Sequence, residues 1–200
     1  MTGSIRYQLG VPESLRVEAA RLYDEAFSRK FSVAIGNQQK RRVVLADSLL
    51  LEFAVAAISE GRLVGLAGFH TQRGALTGGM SAELLLERLG TLGGVWAAII
   101  FSIYARQPQP SELLMDGIAV RRDMRGKGIG THLLNDLKHY AREHGFRTIR
   151  LDVIDTNPAA RRLYERQGFV PTSTERFGCL RWLLGFGAST TMIFTVEGSA

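Results

Sequence analysis

One stretch constrains this chain more than any other: Asp116-Gly-Ile-Ala-Val-Arg-Arg-Asp-Met-Arg-Gly-Lys-Gly-Ile-Gly-Thr131. It reads as a strand, then a basic glycine-rich turn, then the start of a helix. Glycines at 126, 128 and 130 let the backbone come close to a ligand, and a helix start directs unbonded N–H groups outward. Those donors, the helix dipole and the neighbouring Arg125 and Lys127 suit phosphate oxygens. Two common phosphate loops do not fit. A Walker loop needs Ser or Thr after its lysine, and Lys127 is followed by Gly128. A dinucleotide fingerprint needs a third glycine where Thr131 stands.

The elements around this turn read as a mixed α/β sheet. Ile5–Leu9 alternates as a short strand, and Pro12 opens a helix carrying Leu15, Ala19, Leu22, Tyr23 and Ala26 on one face. Residues 28–46 read as a polar, basic loop with at most a short helix. Leu51, Phe53, Val55 and Ala57 alternate as a half-buried strand, and Glu60-Gly61 turns it into a second strand at 63–69. Gly65 and Gly68 there suggest a bulge or a close backbone approach. Segment 74–110 reads as a helical insertion between strands 3 and 4: a helix over 82–89, breaks at Gly90 and Gly93-Gly94, and a second helix over 95–106. Then follow a strand over 113–120, a helix over 129–144, a strand over 148–154 and a helix over 157–167. Two last strands start near 169 and 190. One domain spanning 1–200 is expected.

Composition excludes several classes. The lone cysteine, Cys179, cannot form an internal disulfide, and the four histidines have no thiolate neighbours at zinc spacing, so no metal is expected. The longest apolar run, 92–105, is shorter than the roughly 20 residues of a membrane span. It is expected to pack on the domain or on a second copy of the chain, a possible homodimer, and the insertion that carries it reads as a cap on the core, a substrate lid or a dimer interface. No signal-peptide pattern opens the chain, which points to the cytoplasm. The formal charge of +6 comes from basic residues densest at 121–127 and at Arg161-Arg162. That local density favours a small phosphate-bearing ligand over nucleic acid or a membrane.

The Arg125-x-x-Gly128-x-Gly130 turn follows an Ile-Ala-Val strand and precedes Asp155-Thr-Asn-Pro-Ala-Ala-Arg-Arg-Leu-Tyr-Glu-Arg-Gln-Gly-Phe169. Together these resemble the GNAT superfamily of acetyl-CoA-dependent N-acetyltransferases, with the closest likeness over 112–172. The resemblance implies a GNAT fold, a central mixed but mostly antiparallel sheet flanked by helices. It implies acetyl transfer from acetyl-CoA to the primary amine of a small molecule or peptide, by direct attack in a ternary complex. It places the pyrophosphate on Arg125, Gly126, Lys127, Gly128, Ile129, Gly130 and Thr131, and the pantetheine arm along Ile118, Ala119 and Val120. In the family the amide at Val120's position faces the acetyl carbonyl, as an oxyanion-hole donor. Asn157 matches a cofactor-contacting Asn, and it is also a good helix cap. Tyr164 matches the tyrosine that protonates the departing thiolate; its phenol, with a reference pKa of about 10, is protonated at neutral pH. A GNAT fold that binds an acyl-CoA without turnover is the alternative.

An amine of pKa about 10.4 must lose a proton before it attacks, so a base is needed. Strand alternation puts Glu112 and Asp116 on the same side as Val120. Glu112 also matches the glutamate of protein N-terminal acetyltransferases, and it ranks ahead of Asp116. Asp24, Glu25 and His70 are further candidates. Cys179 reads as an ordinary loop thiol. The acceptor is not named by any recognised motif.

Overall fold

The computed structural model describes residues 4–178 and 185–196. Their strands form a single sheet. In chain order these are β1 (Ile5–Leu9), β2 (Ala54–Ser59), β3 (Arg62–Thr71), β4 (Gly74–Ala75), β5 (Glu112–Val120), β6 (Thr148–Ile154), β7 (Val170–Arg176) and β8 (Ala188–Thr195). The order across the sheet is β1-β2-β3-β5-β6-β8-β7, with β4 attached to β3. Only β5 and β6 run parallel; every other pair is antiparallel. The two-residue β4 was not anticipated, so the helical insertion falls after it rather than directly after β3.

Helices cover both faces. On one side lies α4 (Ile129–Glu143), which buries Ile129, Leu133, Leu134, Leu137 and Ala141 as one apolar stripe. Its partners across the interface include Val64, Phe69, Leu113, Met115 and Leu151. Each fully buried aliphatic side chain contributes about 1.5–3 kcal/mol, so this stripe alone anchors the helix. The second core lies on the opposite face, where α1 (Arg16–Ala34) packs Ala19, Ala20, Leu22 and Tyr23 over Ala54, Ala56, Leu66 and Ala119. Strand β2 is buried at every position because both of its faces are covered, which corrects the half-buried reading.

The stretch read as a loop is helical instead. Helix α1 continues to Ala34 across a kink at Phe27, and α2 (Gln38–Ser48) follows, with the Asn37 side chain capping the Lys40 amide at 2.9 Å. Its inward face carries Arg41, Val44, Leu45 and Ser48. Arg41 is buried because it pairs with the fully buried Asp24 and donates to the Ile35 carbonyl at 2.9 Å.

Helix α3 (Ala82–Tyr104) has two arms joined at Gly90, where φ is +76°. Gly93 and Gly94 do not break it as expected; both are helical. A Cβ on Gly94 would lie 2.7 Å from the Leu86 Cα, so that glycine lets the second arm close down on the first. The second arm buries Ala97 and Ile100 in a small core with Ala34, Ile35, Val44 and Leu85. Leu92, Val95, Ile99 and half of Trp96 face outward. The span Ala82–Ile103 is longer than the apolar run seen in the sequence, and by length and composition alone it can cross a membrane.

Candidate active site

The parallel pair β5–β6 holds together over only Glu112–Leu114 and Thr148–Arg150, after which the two strands part. A cavity of about 900 Å³ opens at this fork. Asp116, Gly117 and Ile118 of β5 line one side of it, and Leu151–Ile154 of β6 line the other. The rest of the wall comes from the kinked part of α1, the turn after β4, and the second arm of α3. Also in the wall is α5 (Pro158–Arg166), through Ala160 and Tyr164.

A bulge re-aims β5 at the fork. Gly68 of β3 faces Gly117, but the next residue, Phe69, faces Met115, so Asp116 is the extra residue. Before the bulge, Leu113 and Met115 face the α4 core; after it, Ile118 and Val120 do. The alternation therefore changes phase at 116–117. Glu112 and Asp116 do not share a side with Val120, which corrects the parity expected from sequence. Gly117 has φ of +152°, and a Cβ there would lie 2.2 Å from the Phe27 ring, so only glycine fits beneath that aromatic.

The same ladder fixes which β5 amides are unpaired. The Arg121 amide donates to the Val64 carbonyl at 2.9 Å, so antiparallel alternation sends Ala119 toward β3 as well. Ile118 and Val120 then present their N–H groups to the fork, where no strand pairs with them. Beyond Val120, α4 begins after Gly126 and Gly128, with φ of +76° and +78°. The first amide of this helix to find an acceptor is His132, bonded to the Gly128 carbonyl at 3.1 Å. The amides of residues 126–131 make no hydrogen bond among the described residues. Arg125 donates through Nε to the Val120 carbonyl at 3.2 Å, which ties the turn to the end of β5. The Gly130 position touches Leu163 and Ile118, so the turn abuts the fork.

Of the anticipated cofactor set, Ile118, Asn157 and Tyr164 line the cavity itself. Ala119, Val120 and residues 125–131 continue from its edge. Asn157 caps α5 by accepting from the Ala160 amide at 3.2 Å, so it serves the helix while lining the cavity. Tyr164 is 5% exposed, and burial raises its phenol pKa well above the ordinary value.

The acid and base candidates separate clearly. Asp116 lines the cavity and accepts from the Thr77 amide and hydroxyl at 3.4 and 3.3 Å, while its carbonyl accepts from Tyr23 at 3.5 Å. His70 lines the same cavity from β3, opposite Leu114. Glu112 does not line it. Its carboxylate is buried against Arg150 at 3.0 Å and accepts from the Gln109 amide at 3.1 Å. Asp24 is enclosed by Arg41 and Arg42, and Glu25 faces Arg42 at 3.6 Å. Cys179 lies outside the described residues. Sequence reasoning missed Phe27, whose local pattern does not distinguish a cavity wall from a core. Thr77 and the α3 residues of the wall fall within 74–110, the segment read as capping the core, covering a substrate or meeting a second copy.

A free strand edge beside a glycine-rich turn of unbonded amides suits an extended, phosphate-bearing ligand, and the comparisons name a family that fits. Residues 17–169 match the acetyltransferase (GNAT) family, and the chain belongs to that family. A stretch of 64 residues is 41% identical to the probable N-acetyltransferase camello of Xenopus tropicalis; it covers 32% of this chain and 29% of that protein. Among solved structures, an acetyltransferase superposes with a TM-score of 0.63 at 20% identity, over 96% of this chain and 100% of that one. The Salmonella typhimurium protein yncA, solved with its cofactor acetyl-CoA, gives 0.58 at 17% identity over 98% and 96%. At these identities the structural likeness speaks for the fold.

Proposed function

We propose that this protein transfers an acetyl group from acetyl-CoA to a primary amine by direct attack within a ternary complex. The observation that carries this reading is the fork: an unpaired β5 edge runs straight into a row of unbonded amides at 126–131. The donor set fits the cosubstrate, since an anionic pyrophosphate needs clustered N–H donors and a pantetheine amide needs a free strand edge. When bound, acetyl-CoA supplies an activated thioester carbonyl. The amides of residues 126–131 hold the phosphates, and Ile118 pairs with the extended arm. The Val120 amide stabilises the oxygen that gains charge as the amine attacks. Removal of one such donor elsewhere costs about 10²–10³ in rate.

Asp116 accepts the proton of the incoming amine, directly or through water, and Tyr164 protonates the leaving thiolate. Glu112, tied up with Arg150, is placed second as base, and His70 is a third group within the same wall. Two measurements test this reading. Thiol release from acetyl-CoA is followed with a panel of amines, and coenzyme A binding is followed by calorimetry. Binding without thiol release from any amine would leave the non-catalytic acyl-CoA module as the better reading.

A further inference from the structure

The cavity wall has two halves by origin: the fork strands with α5, and the helices α1 and α3 together with the β7–β8 side. The second half is built by Phe27, Met80, Phe101 and Ile103, with Phe177 and Phe186 closing it from the β7–β8 side. The aromatics are braced against one another: Phe101 meets Phe31 edge-on at 5.7 Å, and Phe177 meets Phe186 at 5.3 Å. Charge in this half is sparse and positive. Arg29 lines it with no acidic partner among the described residues, and Arg106 lines it while reaching Glu175 at 3.4 Å. Among the described residues the wall holds two carboxylates. Asp116 is at the fork, and Asp152 accepts from the Thr191 hydroxyl at 2.6 Å.

A second ammonium group on the acceptor would meet the like charge of two guanidinium groups, and the other carboxylate of this wall, Asp152, is already engaged by the Thr191 hydroxyl. An acceptor with an apolar body would fill this half, at roughly fourfold in affinity per buried methylene. We propose, resting on the acetyl-transfer reading above, that the acceptor is a primary amine on an apolar, aromatic-sized body with no second cationic group. Its nitrogen meets the thioester at Asp116 and its body lies between α1 and the second arm of α3. The nitrogen lone pair forms the new N–C bond, the C–S bond breaks, and the sulfur leaves as thiolate. The amine proton passes to Asp116, and the thiolate takes a proton from Tyr164.

The test measures kcat/KM for thiol release at saturating acetyl-CoA with 2-phenylethylamine, tryptamine, propylamine, putrescine and spermidine. The two arylalkylamines should exceed propylamine by at least about tenfold, with both polyamines at or below propylamine. A polyamine as best acceptor, or no gain from the aromatic ring, overturns the proposal. Absence of thiol release with all five overturns this proposal, whereas the acetyl-transfer reading falls only if the wider panel, peptide amines included, gives none either. The Ser102→Trp variant narrows the wall at an exposed position where folding is not at stake. The phenylethylamine-to-propylamine ratio should fall about tenfold in it, and Arg29→Glu should raise putrescine turnover. An unchanged ratio in Ser102→Trp would place the acceptor elsewhere.

Discussion

Tyr164 is enclosed by the α4 core, with Phe169 at 5.8 Å, and its raised pKa follows from that burial. Tyr164→Phe keeps the ring and removes the proton, so kcat should drop about 10²–10⁴ while calorimetric binding of coenzyme A stays nearly constant. Burial also raises the Tyr23 phenol, mainly by desolvation. A group whose pKa is raised by folding adds stability that is complete below the unfolded value, about 10, and is lost as pH climbs beyond it. The urea midpoint should therefore hold steady up to about pH 10 and then decline, less steeply in Tyr164→Phe. Asp116→Asn should slow acetylation most near neutral pH, with the deficit shrinking as the amine deprotonates itself toward pH 10. At Gly128, a Val would adopt a φ of +78° at about 1–3 kcal/mol of strain and set a side chain over the free amides. The coenzyme A dissociation constant should rise more than tenfold. The glycine turn and the cap at Asn157 were legible because their residue types are restricted by backbone geometry. The extra residue at Asp116 was not. A bulge shifts alternation without altering which residue types occupy the strand, and Gly117 is its sole local trace.

Helix α2 shows why a polar sequence hides an element. Arg41 reads as a solvated charge, yet it is a buried residue whose partner, Asp24, lies seventeen positions away on α1. Only the fold brings the two together, so periodicity counted on apolar residues misses the inward face. Asp24→Ala should cost about 3–5 kcal/mol in denaturant melts, because it strands a buried guanidinium. Glu25→Ala, on the exposed side of the same helix, should cost less than about 1 kcal/mol. On α3 the inward and outward positions were likewise mixed in a continuous apolar run. Ile100→Asp buries a charge in the small core and should unfold the second arm. Ile99→Asp faces outward and should leave the melting temperature within a degree or two. If copies pair through this face, light scattering of the Ile99→Asp protein should read the monomer mass.

Across the whole molecule, the succession of strands along the chain, β4 excepted, was readable from turns and periodicity, whereas the fork depends on where two distant segments stop pairing. Glu112–Leu114 and Thr148–Arg150 carry no residue that marks the end of the ladder. Ligand bound in the fork should protect Ile118 and Val120 amides from hydrogen exchange more than any others in β5. At a hundredfold excess over its dissociation constant, coenzyme A should add about 2.7 kcal/mol to global stability.

The fork has a practical consequence for handling the protein. An open cleft between two strands offers unsatisfied donors to any extended peptide, including one from a denatured neighbour. Cosubstrate-free preparations should therefore precipitate sooner on warming than the same preparations supplied with coenzyme A. The nucleotide then acts as a guard against self-association as well as a reactant.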